Sequence, residues 1–110
     1  LNNFNPGTDM SARPGYSERS IALLAARAKR AMFEYLPIRS HPDEAERVYR
    51  AYRYGPVAEV FVLDQRSYRA ANGANREPAA SPATRMMGPA QIAWLKQNLI
   101  SSNATWKIIA

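Results

Sequence analysis

The 110-residue chain contains no cysteine, which excludes disulfide bonds and a metal site built on thiolates. No apolar run approaches the roughly 20 residues that a membrane-spanning helix needs, and no secretory signal pattern opens the chain. Its 5 glycines are isolated, so a P-loop or a Rossmann nucleotide site is not expected. The start at Leu1 and the strand-like end at Ala110 indicate a fragment of a longer protein.

Acidic residues are outnumbered, since 15 Lys and Arg against 9 Asp and Glu give a net charge of +6. Clustered basic residues would indicate a nucleic-acid partner, but the arginines are scattered, so none is expected. His41 is the single histidine and stands beside Asp43 and Glu44, where a metal site is conceivable. A solvent-facing turn is the favoured interpretation, because one histidine without further ligands has little specificity.

The hydrophobic fraction of 46% suffices for a core, and the order of apolar patterns predicts an α/β fold. We predict a loop over 1–15, a helix over 18–35, a hairpin over 48–64, a loop over 70–85, a helix over 89–100 and a strand over 105–110. Ser17 is the expected N-cap of the first helix. The segment 70–82 should be the most mobile or irregular part, because it offers little apolar area to offset its ordering entropy.

The strongest candidate site follows the apolar strand Val60–Leu63, which ends in Asp64 and is followed by Arg66 and Arg69. Strand ends carry the functional side chains of α/β proteins. A guanidinium can hold a phosphate with two hydrogen bonds, and a nearby carboxylate can orient it or bind a hard cation. In an extended continuation Asp64, Arg66 and Tyr68 would project to one side. A structural salt bridge between Asp64 and Arg66 is the open alternative.

The hairpin interleaves aromatic and basic side chains, as some single-strand binders do: Tyr49, Arg50, Tyr52, Arg53 and Tyr54. The favoured interpretation is a curved hairpin whose tyrosines pack on the first helix. A small basic binding module without catalysis remains the alternative function.

Several segments, in the right order, resemble the alkaline phosphatase D (PhoD-like) family of metallophosphatases. The resembling segments are Met32–Arg39, Val48–Arg50 with Tyr54–Gly55, Val60–Arg69 against a Leu-Asp-x-Arg-x-Tyr-Arg pattern, Met86–Gln91 with Trp94–Leu95, and Thr105–Lys107. The resemblance covers nearly the whole chain. It implies a central fragment of a metallophosphatase-type sandwich, with strands flanked by helices.

The resemblance implies that the longer protein is a metal-dependent phosphoric ester hydrolase, a phosphatase or phosphodiesterase that uses calcium and iron. Leu1-Asn2-Asn3 resembles the Asn-Asn pair after the family's Trp-Asp-Asp-His-Glu run, so Asn2 or Asn3 is expected near a metal. By the same resemblance Asp64 and Arg66 would support the substrate site. Most of the family's metal ligands have no counterpart here, so the isolated chain should be inactive. The family is often exported, which implies a periplasmic or secreted location.

Overall fold

The structure is a computed structural model that describes residues 1–74 and 76–110. Its elements are α1 (Ile21–Tyr35), β1 (Arg50–Tyr54), β2 (Ala58–Val62), a 3-10 turn (Pro82–Thr84), α2 (Pro89–Ser101) and β3 (Trp106–Ile109). The predicted α/β class and the order helix, hairpin, helix, strand are confirmed. No helix within the described residues is both long and apolar enough to cross a membrane.

The three strands form one sheet with β2 in the centre. β1 runs antiparallel to β2, with Tyr54 opposite Ala58, and the turn between them contains Gly55 at φ 59°. That left-handed conformation favours glycine. β3 runs parallel to β2 and places Phe61 opposite Ile109, which requires a crossover connection that α2 supplies.

The two helices lie on opposite faces of this sheet. Phe61 of β2 is fully buried, and its ring lies 6.3 Å from that of Trp94 in α2. Arg50 of β1 points to the other face, where its guanidinium lies 5.2 Å from the ring of Phe33 in α1. Successive side chains of a strand alternate between the two faces, so residues 60, 62 and 64 point toward the α1 side.

The first helix begins later than the sequence indicates, and the prediction that Ser17 is its N-cap was wrong. Ser20 caps the helix, because its Oγ accepts a hydrogen bond from the Leu23 N–H at 3.2 Å. The Glu18 carboxylate accepts from the Ser20 N–H at 2.7 Å and keeps this stretch outside the helix. No residue of α1 is buried, so its apolar side lines an open cavity instead of a core.

The hairpin tyrosines also differ from expectation, since they do not pack together on α1. Tyr49 is 6% exposed and its ring lies 5.0 Å from that of Trp94 in α2. Tyr52 and Tyr54 point to the opposite face and remain 36% and 64% exposed. Alternation along the strand therefore divides the tyrosines, and the predicted common packing was wrong.

The connection between β2 and α2 is irregular in its described residues, apart from the 3-10 turn. Asn75, which belongs to the predicted loop, lies outside the described residues. The two ends of the loop are joined, because the Ala70 N–H donates to the Arg85 carbonyl at 2.8 Å. A capping box at Ser81 and Thr84 holds the 3-10 turn.

Candidate functional site

The end of the central strand folds into a turn around the Asp64 carboxylate. Oδ1 accepts hydrogen bonds from the backbone N–H groups of Arg66 at 2.9 Å and Ser67 at 2.8 Å. Side chains of Asp that bind the backbone in this way stabilise turns. The extended continuation expected from the sequence was therefore wrong, because the Asp64 side chain ends the strand.

Gln91, in the first turn of α2, fixes the same position through the backbone. Its Oε1 accepts from the Asp64 N–H at 2.7 Å, and its Nε2 donates to the Asp64 carbonyl at 2.9 Å. These are the bonds that a neighbouring strand would supply, and Gln91 is only 1% exposed. Sequence reasoning gave Gln91 no role, although a buried amide at the start of a helix needs such partners.

The second carboxylate oxygen of Asp64 is buried and has no hydrogen-bond partner among the described residues. Asp64 itself is 6% exposed, whereas Arg66 is exposed. No salt bridge within the described residues involves Asp64, so the alternative of an Asp64–Arg66 pair was wrong. A buried carboxylate oxygen without a donor costs free energy. This oxygen is therefore suited to accept a further donor or a cation.

Asp64 and Arg66 border a cavity of about 400 Å³. The apolar side of α1 lines it with Ile21, Leu24 and Met32, among others, and the N-terminal segment contributes Leu1 and Phe4. The cavity thus combines an apolar wall with the Asp64 carboxylate, the Lys29 ammonium and the Arg66 guanidinium, of which the last makes no side-chain hydrogen bond or ion pair within the described residues.

Asn2 and Asn3 are not among the residues that line this cavity, although their chain neighbours Leu1 and Phe4 are. Both asparagines are exposed. Asn3 has φ 54°, a left-handed conformation that Asn tolerates better than most residues. The described residues contain no group of three or more His, Cys, Asp or Glu side chains that could hold a metal ion.

Arg69 lies apart from this cavity. Its Nε donates to the Ala70 carbonyl at 3.2 Å, and its guanidinium also donates to Asn72. It lines a separate, smaller cavity within the 70–85 loop. Its role in substrate binding stays a prediction, as do those of Asp64, Arg66 and the two asparagines.

Tyr68 follows the Asp64 turn and contacts the 41–47 segment, Tyr49 and the residue before α2. Its hydroxyl donates to Glu44 Oε1 at 3.2 Å, and its ring meets that of Tyr49 edge-on at 5.9 Å. A Cβ at Gly88 would lie 3.1 Å from Tyr68 Cβ, so a larger residue at this N-cap of α2 would require Tyr68 to shift by a few tenths of an ångström. Burial, and next the Glu44 charge, raise the pKa of Tyr68 to about 12.

Known proteins match this chain over nearly all of its length. The sequence profile of the PhoD-like phosphatase family matches residues 1–110. Alkaline phosphatase D of Bacillus subtilis (strain 168) is 36% identical over 105 residues, covering 87% of this chain and 18% of that protein. A solved structure of PhoD superposes with a TM-score of 0.70 at 31% identity, covering 98% of this chain and 22% of that one. The chain thus spans about a fifth of the length of these relatives.

Proposed function

The chain belongs to the PhoD-like phosphatase family, and on this premise we propose that it forms the central part of a metal-dependent phosphoric ester hydrolase. The observation that carries the proposal is the Asp64 turn at the end of the central strand. There a buried carboxylate fixes the backbone, and a cavity is bordered by the Arg66 guanidinium, which makes no side-chain hydrogen bond or ion pair within the described residues. A free guanidinium matches the oxygens of a phosphate ester, the proposed substrate.

Each residue of the turn would then have a distinct part. Arg66 would bind two phosphoryl oxygens and stabilise the negative charge that develops on them during transfer. Asp64 would be a positioning residue, because its Oδ1 holds the Arg66 N–H and its backbone is held by Gln91. Such fixed placement lowers the barrier by avoiding reorganisation during the reaction.

We include calcium and iron in the proposal because membership of the PhoD-like family implies them. The residues of this chain do not by themselves fit either metal, because the described part holds no cluster of three acidic, His or Cys side chains. Calcium alone takes about 6–8 oxygen ligands. Asn2 and Asn3 would supply at most amide oxygens at the border of a site whose other ligands lie elsewhere. A periplasmic or secreted location is proposed on the same family basis.

The alternative, a basic binding module on the hairpin, has little support in the side-chain arrangement. Tyr49 is buried, and Arg53 pairs with Glu59 at 3.6 Å. Arg50 donates to three backbone carbonyls, those of Val48, Arg47 and Arg39. The aromatic and basic side chains therefore do not form one free surface for stacking bases.

The decisive experiment is Arg66→Ala in the whole enzyme. We expect kcat/KM for phosphate esters to fall by about tenfold to a thousandfold, the range for losing a charge-assisted contact to a developing phosphoryl charge. The exposed neighbour Gln65 provides the control, because Gln65→Ala should leave kcat/KM unchanged. An unchanged kcat/KM in Arg66→Ala, with normal folding, would remove Arg66 from the site.

A further inference from the structure

A second cavity, of about 410 Å³, lies at the outer edge of β1 and shares no lining residue with the cavity beside Asp64. We call it the β1-edge cleft; its basic lining residues are Arg39, His41, Arg47 and Arg50. No Asp or Glu belongs to the set of residues that line it, all of them within the described part. The electrostatic potential of such a cleft favours an anion.

Arg47 is held in a fixed position over aromatic rings. Its guanidinium carbon lies 4.3 Å from the Tyr49 ring centroid and 5.7 Å from that of Trp94. Stacking of this kind restrains the guanidinium without using its hydrogen-bond donors. The Nε of Arg47 is buried and has no acceptor among the described residues, whereas its Nη groups are not buried and make no hydrogen bond or ion pair there, so they are the donors available at the cleft.

Arg50 lines the β1-edge cleft and is held by three hydrogen bonds. Its Nε donates to the Val48 carbonyl at 2.8 Å, its Nη2 to the Arg47 carbonyl at 2.7 Å and its Nη1 to the Arg39 carbonyl. These three bonds tie the backbones of Arg39 and Arg47 to the start of β1. Arg50 thus adds positive charge and order, while the Arg39 guanidinium makes no hydrogen bond or ion pair within the described residues.

The acidic residues of the 43–46 segment are engaged elsewhere or do not line the cleft. Glu44 accepts from the Tyr68 hydroxyl at 3.2 Å, and Glu46 pairs with Lys29 of α1 at 4.0 Å. Asp43 is exposed, and its N–H donates to His41 Nδ1 at 3.3 Å. Since Nδ1 accepts, neutral His41 carries its proton on Nε2 and is a donor there.

We propose that the β1-edge cleft binds a phosphate group, free or as a small monoester, through Arg39, His41 and Arg47. A phosphate at neutral pH offers mainly acceptor oxygens; Arg39 and Arg47 offer donors with positive charge, and His41 offers an Nε2 donor. The site is separate from the cavity beside Asp64 and does not depend on catalysis there. It would hold a phosphate other than the one that reacts.

The single histidine makes the test direct, because its imidazole NMR signals need no assignment. The 110-residue chain is titrated at fixed pH and ionic strength with inorganic phosphate and, separately, with glycerol phosphate. We expect a saturable shift of the His41 ring signals, and Arg47→Gln should weaken the binding at least about fivefold. The ligand that binds more tightly identifies the source of the phosphate.

Arg30→Gln is the matched control, because Arg30 is an exposed arginine of α1 that pairs with Glu34 at 2.7 Å outside the cleft. It should leave the affinity within about twofold. Arg39→Gln provides a second test, because this exposed side chain can be replaced without disturbing the stacked Arg47. A non-saturable shift equal to that with sodium chloride, or equal weakening by Arg30→Gln and Arg39→Gln, would overturn the proposal.

Discussion

Gln91 holds the backbone of Asp64, so the loss of its side chain should disturb the Asp64 turn. Gln91→Ala leaves the buried N–H and carbonyl of Asp64 without partners. Each such group costs about 1–3 kcal/mol, so we expect the free energy of unfolding to fall by about 2–6 kcal/mol. Urea unfolding measures this loss, and Gln97→Ala on the exposed side of α2 should cost less than about 0.5 kcal/mol. Equal effects of the two substitutions would contradict the role assigned to Gln91.

Tyr68 should make stability fall at high pH. Its pKa is raised to about 12 in the folded chain, against 10.0 for a free phenol. The unfolded chain therefore loses the proton first, so the contribution is complete below about pH 10 and disappears as pH rises from about 10 to 12. Urea midpoints measured across this range should drop more in the native chain than in Tyr68→Phe. Identical pH profiles for the two proteins would exclude Tyr68 as the source.

The Ser20 N-cap should stabilise the start of α1. Ser20→Ala removes the side-chain acceptor of the Leu23 N–H, and we expect it to cost about 1 kcal/mol in the free energy of unfolding. Ser17 lies outside the helix, so Ser17→Ala is a matched control expected to have no effect. Thermal unfolding followed by circular dichroism compares the two variants. A loss in Ser17→Ala instead of Ser20→Ala would place the cap where the sequence pattern alone puts it.

The helices and strands could be predicted because their apolar periods are strong, whereas the contacts between them could not. The period of α1 indicated an apolar side, but not that no residue of α1 is buried. The sequence showed the alternation of β1. It did not show which face of the strand packs against Trp94, because that depends on long-range packing. The apolar run into Asp64 located the candidate site. The turn there was missed because it depends on where one carboxylate oxygen points, which no periodicity encodes.

The 110-residue chain by itself should not hydrolyse phosphate esters. Its buried apolar residues within the described part are Met10, Tyr49, Phe61 and Ala104. The chain spans about a fifth of its relatives, and the described residues lack a cluster able to hold a metal ion in an open site. We expect no turnover of p-nitrophenyl phosphate or bis-p-nitrophenyl phosphate with added calcium and iron. The whole enzyme is the positive control, and a comparable rate from the chain would refute this expectation.

Two connections of very different length join the strands of the sheet. We expect this difference to determine which strand pair forms first. β1 reaches β2 through the tight turn at Gly55, whereas β2 reaches β3 only after the 70–85 loop and α2. Closing a short hairpin takes about 1–10 μs, and the entropy of closing a longer loop must be paid before its distant contacts form. We therefore expect the antiparallel hairpin to form first. The parallel pair, in which the Leu63 N–H donates to the Ala110 carbonyl, should assemble on it later.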